Sequence, residues 1–150
     1  EYAKEYYLDN NDFLKKKAEE YRKNNREKIN NHTTERRKSD PLFKLKHIIG
    51  NSILKSIKLN GYSKKARTHE ILGCSFEEFK IYLESKFEYW MTWENRGLYN
   101  GELNYGWDID HIIPICSATS EEDVIKLNHY TNLQPLCSYV NRYIKCDKLF

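Results

Sequence analysis

Two stretches decide the fold: Trp107-Asp108-Ile109-Asp110-His111-Ile112-Ile113-Pro114 and Thr131-Asn132-Leu133-Gln134-Pro135-Leu136. The first is dense in β-branched and aromatic residues and is stopped by a proline, which predicts a strand over residues 107 to 113. The second predicts another strand ending near Pro135. Between them Ser120-Glu121-Glu122-Asp123 opens a short helix through Asn128, because a serine followed by acidic residues matches the exposed N–H groups of a first turn. After them Ser138 is placed to cap a final helix carrying Asn141, Tyr143 and Lys145. The order is strand, excursion, strand, helix.

Upstream, the pattern turns helical. Ser75 and Glu78 form a capping box for a helix whose buried face is Phe76, Phe79, Tyr82, Leu83 and Phe87. Residues 92 to 106 are rich in Gly, Asn and Tyr and read as a loop. Asp40-Pro41 starts a core helix of about four turns, with Leu42, Phe43, Leu45, Ile48, Ile49, Ile53, Leu54 and Ile57 at helical spacing; Asn60-Gly61 ends it. Residues 1 to 39 contain neither Gly nor Pro, and Ala3, Tyr7, Leu14, Ala18 and Tyr21 make only a narrow apolar stripe. That predicts a long, mostly exposed helix fraying toward Asn30-Asn31, with the basic stretch 26 to 38 as a linker. The fold class is therefore α+β: an exposed basic leader over 1 to 39, then one domain over 40 to 150.

With 150 residues the chain is long enough for one core and too short for two. Its 39% hydrophobic and 31% charged residues belong to a globular protein, not a disordered one. The longest apolar run, residues 112 to 116, is far short of the roughly 18 needed to span a bilayer, so no membrane partner is expected. Residues 1 to 20 lack the apolar segment of a signal peptide. The chain opens at Glu1 and its only methionine is Met91, so a piece of a longer protein is expected. Cys74, Cys116, Cys137 and Cys146 include no C-x-x-C pair, which argues against a structural zinc and against a disulfide framework. Free thiols in a reducing cytoplasm are expected.

The net charge of +3 is unevenly placed: residues 1 to 67 hold 18 Lys/Arg against 9 Asp/Glu, and residues 68 to 150 hold 7 against 13. A basic half joined to an acidic, aromatic half suits a polyanion grip beside a site that uses carboxylates. A solvated charged helix face is the alternative. Within the basic half, residues 40 to 67 carry 7 against 1 and the leader 11 against 8. Any DNA backbone grip is therefore expected on Lys44, Lys55, Lys64, Lys65 and Arg67, and less on the leader.

Asp110 and His111 put a carboxylate and an imidazole on adjacent strand positions, which alternation aims to opposite faces. Both can serve one site only where the strand ends or twists, as Pro114 allows. Asn132 follows 21 positions after His111, and Asn141 another 9 on. This ordered set resembles the HNH, or ββα-metal, endonucleases, in the variant whose last motif residue is asparagine. The likeness is close over residues 107 to 148; residues 69 to 106 also resemble the lead-in of free-standing phage members, and the Lys/Tyr-rich leader is similar to theirs in style only. The chain departs from many of them in lacking paired cysteines for a structural zinc.

The resemblance implies a ββα-metal core and a DNA endonuclease in which His111 is the general base, Asp110 and Asn141 hold one divalent cation, and Asn132 ties the loop that positions His111. Two oxygen ligands suit Mg2+ or Mn2+ better than Zn2+, and an imidazole of ordinary pKa about 6.5 can take a proton from water at neutral pH. Lys145, a helical turn past Asn141, and Arg142 are expected to touch substrate phosphate. A nucleic-acid-binding protein with an inactive core of this kind is the alternative. Asp108 is either a supporting carboxylate or a surface acid, and His129 has no assigned role. Trp90, Trp93, Trp107, Tyr82 and Phe87 are expected in the core and not as base-stacking platforms.

Overall fold

The computed structural model describes residues 10 to 145. Ala3, Tyr7 and Cys146 lie outside them. The chain divides into two units, Glu1–Asp40 and Pro41–Phe150.

In the first unit α1 (Asn11–Asn24) and α2 (Arg26–Ser39) meet at Asn25, and neither helix buries a residue. The linker expected over 26 to 38 is thus corrected to a helix. With no Gly or Pro to break it, α2 is reinforced locally: Thr33 donates to the Ile29 carbonyl at 2.8 Å, and Lys38 pairs with Glu35 at 2.9 Å. Such exposed pairs, three or four residues apart, add only a few tenths of a kcal/mol each.

The second unit is built on α3 (Pro41–Leu59), which starts at the proline and buries Leu45, Ile49, Ile53, Ser56 and Ile57 along one face. Against that stripe pack Ile71 and Leu72 of α4 (Thr68–Leu72), Phe79 and Leu83 of α5 (Phe76–Glu84), Val124 of α6 (Glu121–Leu127) and Leu133. The α5 capping box forms as expected: the Glu78 amide donates to Ser75 Oγ at 3.1 Å, and the Ser75 amide to Glu78 Oε2 at 2.8 Å. Helix α4 has no apolar periodicity to announce it, being five residues long. It ends at Gly73, whose φ of +80° and contact with the His129 ring leave no room for a side chain: a Cβ there would lie 2.1 Å from His129 Nε2.

Strands β1 (Trp107–His111) and β2 (Leu133–Cys137) pair antiparallel, with Trp107 opposite Cys137, Asp108 opposite Leu136, Asp110 opposite Gln134 and His111 opposite Leu133. The architecture is α+β, a helical body carrying one small hairpin. Alternation sorts β1 into two faces. Trp107 and Ile109 turn to the helical body, where Trp107 closes a triangle with Phe87 (4.8 Å between centroids) and Trp93 (5.4 Å) and donates from Nε1 to the Thr92 carbonyl at 2.7 Å. These rings, like Tyr82 against Tyr130, serve packing.

Asp108 and Asp110 turn to the other face, which the last described helix covers. That element, residues Val140–Lys145, is a π-helix and not the α-helix expected. Ser138 does not cap it: Ser138 is buried, its hydroxyl has no partner among the described residues, and its amide instead donates to the Gly106 carbonyl at 2.8 Å. Gly106 is pressed against the backbone of the 92 to 106 loop, where a Cβ would meet the Leu98 carbonyl oxygen at 2.1 Å, so glycine is what lets the loop lie flat on the hairpin.

Candidate active site

The hairpin brings the Asp-His pair and its neighbours together at the end of β1. The strand stops at His111, two residues earlier than expected, because Asn132 takes over the next backbone groups. Its side-chain oxygen accepts from the Ile113 amide at 2.9 Å, and its Nδ2 donates to the carbonyls of Ile113 (3.0 Å) and Leu127 (2.8 Å). The Ile112 amide completes the closure on the Asn132 carbonyl at 2.8 Å. One asparagine side chain thereby pins the turn after β1 to the end of α6.

The imidazole is held by a residue that sequence reasoning missed. His111 Nε2 lies 3.3 Å from Asn128 Oδ1, and Asn128 is 1% exposed at the end of α6. The proton positions follow from a chain of hydrogen bonds. The Ser56 hydroxyl donates to the Ile53 carbonyl at 2.9 Å, so Ser56 Oγ accepts from Asn128 Nδ2 at 2.8 Å. Asn128 Nδ2 also donates to the Val124 carbonyl at 2.8 Å. Asn128 therefore presents Oδ1 as an acceptor, His111 carries its proton on Nε2, and Nδ1 keeps a free lone pair. Burial pulls the His111 pKa below its ordinary value of 6.5 and Lys145 reinforces this, while the Asn128 hydrogen bond and Asp110 oppose it. The ring is neutral at neutral pH.

On the opposite face Asp110 is nearly buried and forms an ion pair with Lys145, whose ammonium also donates to the His111 carbonyl. Gln134, its cross-strand neighbour, donates to the same Asp110 oxygen, Oδ2, at 3.1 Å. Lys145 is 1% exposed, which corrects its expected role. Instead of reaching toward phosphate, it is the internal counter-charge of Asp110, because a buried carboxylate needs one. Asn141 stands four positions earlier on the same π-helix, about one turn away, and is half-buried. Asp108, two residues before Asp110, lies 3.4 Å from Arg142 NH2 and also faces the half-buried Arg96.

The basic residues expected to grip DNA do not gather at this site. Lys44 and Lys55 are eleven positions apart on α3, about 20° out of line, and so share its outer face, roughly 100° or more around the helix from Ser56. Lys64 donates to the Ala66 carbonyl at 2.8 Å, and Lys65 pairs with Glu121 at 2.9 Å. Arg67 is exposed at the start of α4, where its amide donates to Glu70 Oε2 at 2.6 Å. His129 accepts the Thr131 amide and packs on Gly73, a structural task.

A hard cation fits the oxygen donors on this face. Both hydrogen bonds to Asp110 fall on Oδ2, leaving Oδ1, and Asn141 lies on the helix that covers this face. Among the described residues no three His, Cys, Asp or Glu side chains converge. Nor is any helix among the described residues long and apolar enough to cross a membrane.

No family model and no solved structure matches the chain. It is similar to two Acanthamoeba polyphaga mimivirus proteins, uncharacterized protein L426, 36% identical over 86% of the chain, and uncharacterized protein L246, 36% identical over 78%. The chain spans about half the length of these curated relatives, 53% and 50% respectively.

Proposed function

We propose that the chain is a metal-dependent DNA endonuclease with a ββα-metal core. One observation carries this reading: an antiparallel hairpin ends its first strand in Asp110-His111, closes its turn through Asn132, and is covered by a helix bearing Asn141. Strand, loop and helix each carry the residue type that phosphodiester hydrolysis needs there.

His111 takes the proton of the attacking water at Nδ1, while Asn128 keeps the other nitrogen protonated and the ring oriented. Because the ring is buried and neutral, no proton has to leave it first. Asp110 and Asn141 would hold Mg2+ or Mn2+, which supplies neutralising charge at the phosphate and the leaving oxygen. Lys145 keeps Asp110 paired and desolvated until then. Arg142, exposed on the same helix and bonded to Asp108, would meet a neighbouring phosphate.

The Lys145–Asp110 pair also supports a second reading, a nucleic-acid-binding protein with an inactive core, since the ammonium already satisfies the carboxylate. Incubation of the chain with supercoiled plasmid separates the two. The endonuclease gives nicked or linear DNA with Mg2+ or Mn2+, little with Zn2+ and none with EDTA. Binding without any cleavage in every metal supports the second reading. The Asn141→His variant sharpens the test, because an imidazole at 141 shifts metal preference toward Ni2+ or Zn2+; an unchanged metal profile removes residue 141 from the ion.

A further inference from the structure

The tyrosines of this unit pack in two different ways. In the core most aromatic pairs meet edge-on or tilted, among them Tyr82 with Tyr130 at 85°, Trp93 with Trp107 at 65° and Phe87 with Trp107 at 61°, while Phe79 stacks on Tyr82 at 19°. At the surface beside Asp108 the rings lie close to parallel. Tyr99 stacks on Tyr143 at 5.9 Å and 26°, and Tyr143 meets Tyr139 at 5.3 Å, tilted by 34°. The Arg142 guanidinium sits 4.4 Å from the Tyr99 centroid.

Burial does not account for this ladder. Tyr143 is 62% exposed and belongs to no hydrophobic cluster of the core. A hydrogen bond with Tyr143 pushes the Tyr99 phenol up to about 12. Two of the three tyrosines come from the helix that carries Asn141 and the residue just before it, and Arg142 bonds Asp108, two residues before Asp110. The 92 to 106 loop, laid flat by Gly106, brings the third.

We infer that Tyr99, Tyr139, Tyr143 and Arg142 form a stacking platform for unpaired nucleotide bases beside the candidate cleavage site, so that the preferred substrate is DNA with a single-stranded stretch. The exposed ring of Tyr143, packed with the half-buried rings of Tyr99 and Tyr139 beside a guanidinium, offers a π-face to a base and a charge-assisted donor to its phosphate. Bases inside a duplex have both faces covered by their neighbours, so only an unpaired base can use such a surface. The inference rests on the endonuclease reading for its location alone, since stacking requires no catalysis.

The test is fluorescence anisotropy of the full chain in EDTA with a labelled single-stranded DNA oligonucleotide and with the same sequence as a duplex. Single-stranded DNA should bind more tightly. Tyr143→Ala and Tyr99→Ala should each weaken that binding about tenfold while changing duplex binding less than about twofold, and Tyr143→Phe should retain it. Thermal melts confirm that the variants fold, as substitutions at Tyr143 remove an exposed ring. Equal losses on both DNA forms, or no loss on the single strand, overturn the platform. If the platform binds as stated and plasmid is never cut, the endonuclease reading fails and the platform stands. If plasmid is cut with no single-strand preference, the platform fails and the endonuclease reading stands.

Discussion

The two faces of the hairpin hold their functional side chains by different physics. On the core side His111 is fixed by neutral hydrogen bonds that run through the buried Asn128 to the buried Ser56 and the α3 backbone, each with its direction assigned. On the outer side Asp110 and Asp108 are held by charge, through Lys145 and Arg142. A neutral network specifies one proton arrangement and resists substitution. The outer face adds charge to its hydrogen bonds, with the Lys145 ammonium bonded to both Asp110 and the His111 carbonyl and Gln134 to Asp110. On the proposed function, the contrast suits a preorganised base at His111 and a carboxylate at Asp110 that exchanges its ammonium for a metal ion.

The largest expected effect breaks the outer face. Lys145→Met should cost roughly 3–5 kcal/mol in chemical denaturation, because it strands a buried carboxylate, and adding Asp110→Asn should restore most of the loss. If the double variant is as unstable as the single one, packing and not charge sets the cost. Lys145→Met alone should also bind Mn2+ more tightly in the absence of DNA, as followed by electron paramagnetic resonance. Unchanged affinity would show that ammonium and ion do not share Asp110.

The core face should respond less in stability and more in chemistry. Asn128→Ala should cost about 2 kcal/mol by leaving Ser56 and the Val124 carbonyl short of a partner, and it should slow cleavage with DNA affinity retained. A variant that cuts normally would mean that His111 needs no orienting partner. Ser75→Ala, remote from both faces, should cost about 1 kcal/mol through the lost cap of α5 and leave cleavage untouched. The smallest effect should come from Lys44/Lys55/Lys64/Lys65 neutralisation. It should flatten the salt dependence of DNA binding, lowering the log–log slope by at most about 0.9 for each phosphate no longer neutralised. If deleting residues 1 to 39 flattens it more, the leader is the DNA arm.

What is legible in the sequence is local. Asp40-Pro41, the Ser75–Glu78 box and the order of strand, excursion, strand and helix are each written within a few residues, and each forms. What it hides is long-range. Asn128 reads as the last residue of a short helix, and only the fold brings it to Ser56, 72 positions away, and to His111, 17 away. Lys145 reads as a surface cation because its burial depends on Asp110 lying beneath the π-helix, 35 positions back in the chain. The Tyr99–Tyr143 stack likewise joins a loop to a helix across the hairpin. Helix α2 escapes for a different reason: its polarity argues for a linker, while the absence of Gly and Pro is the better guide.

That His111 is the base of a metal-dependent cut is tested most directly by timing plasmid cleavage in Mg2+ with the wild-type chain and with His111→Ala, after both have been shown to fold and to bind DNA. Cleavage by the wild type is expected, with a loss of roughly 10² to 10⁴-fold in rate for the variant at unchanged DNA affinity. Cleavage by His111→Ala at close to the wild-type rate, or a folded, DNA-bound wild type that never cuts, would contradict it.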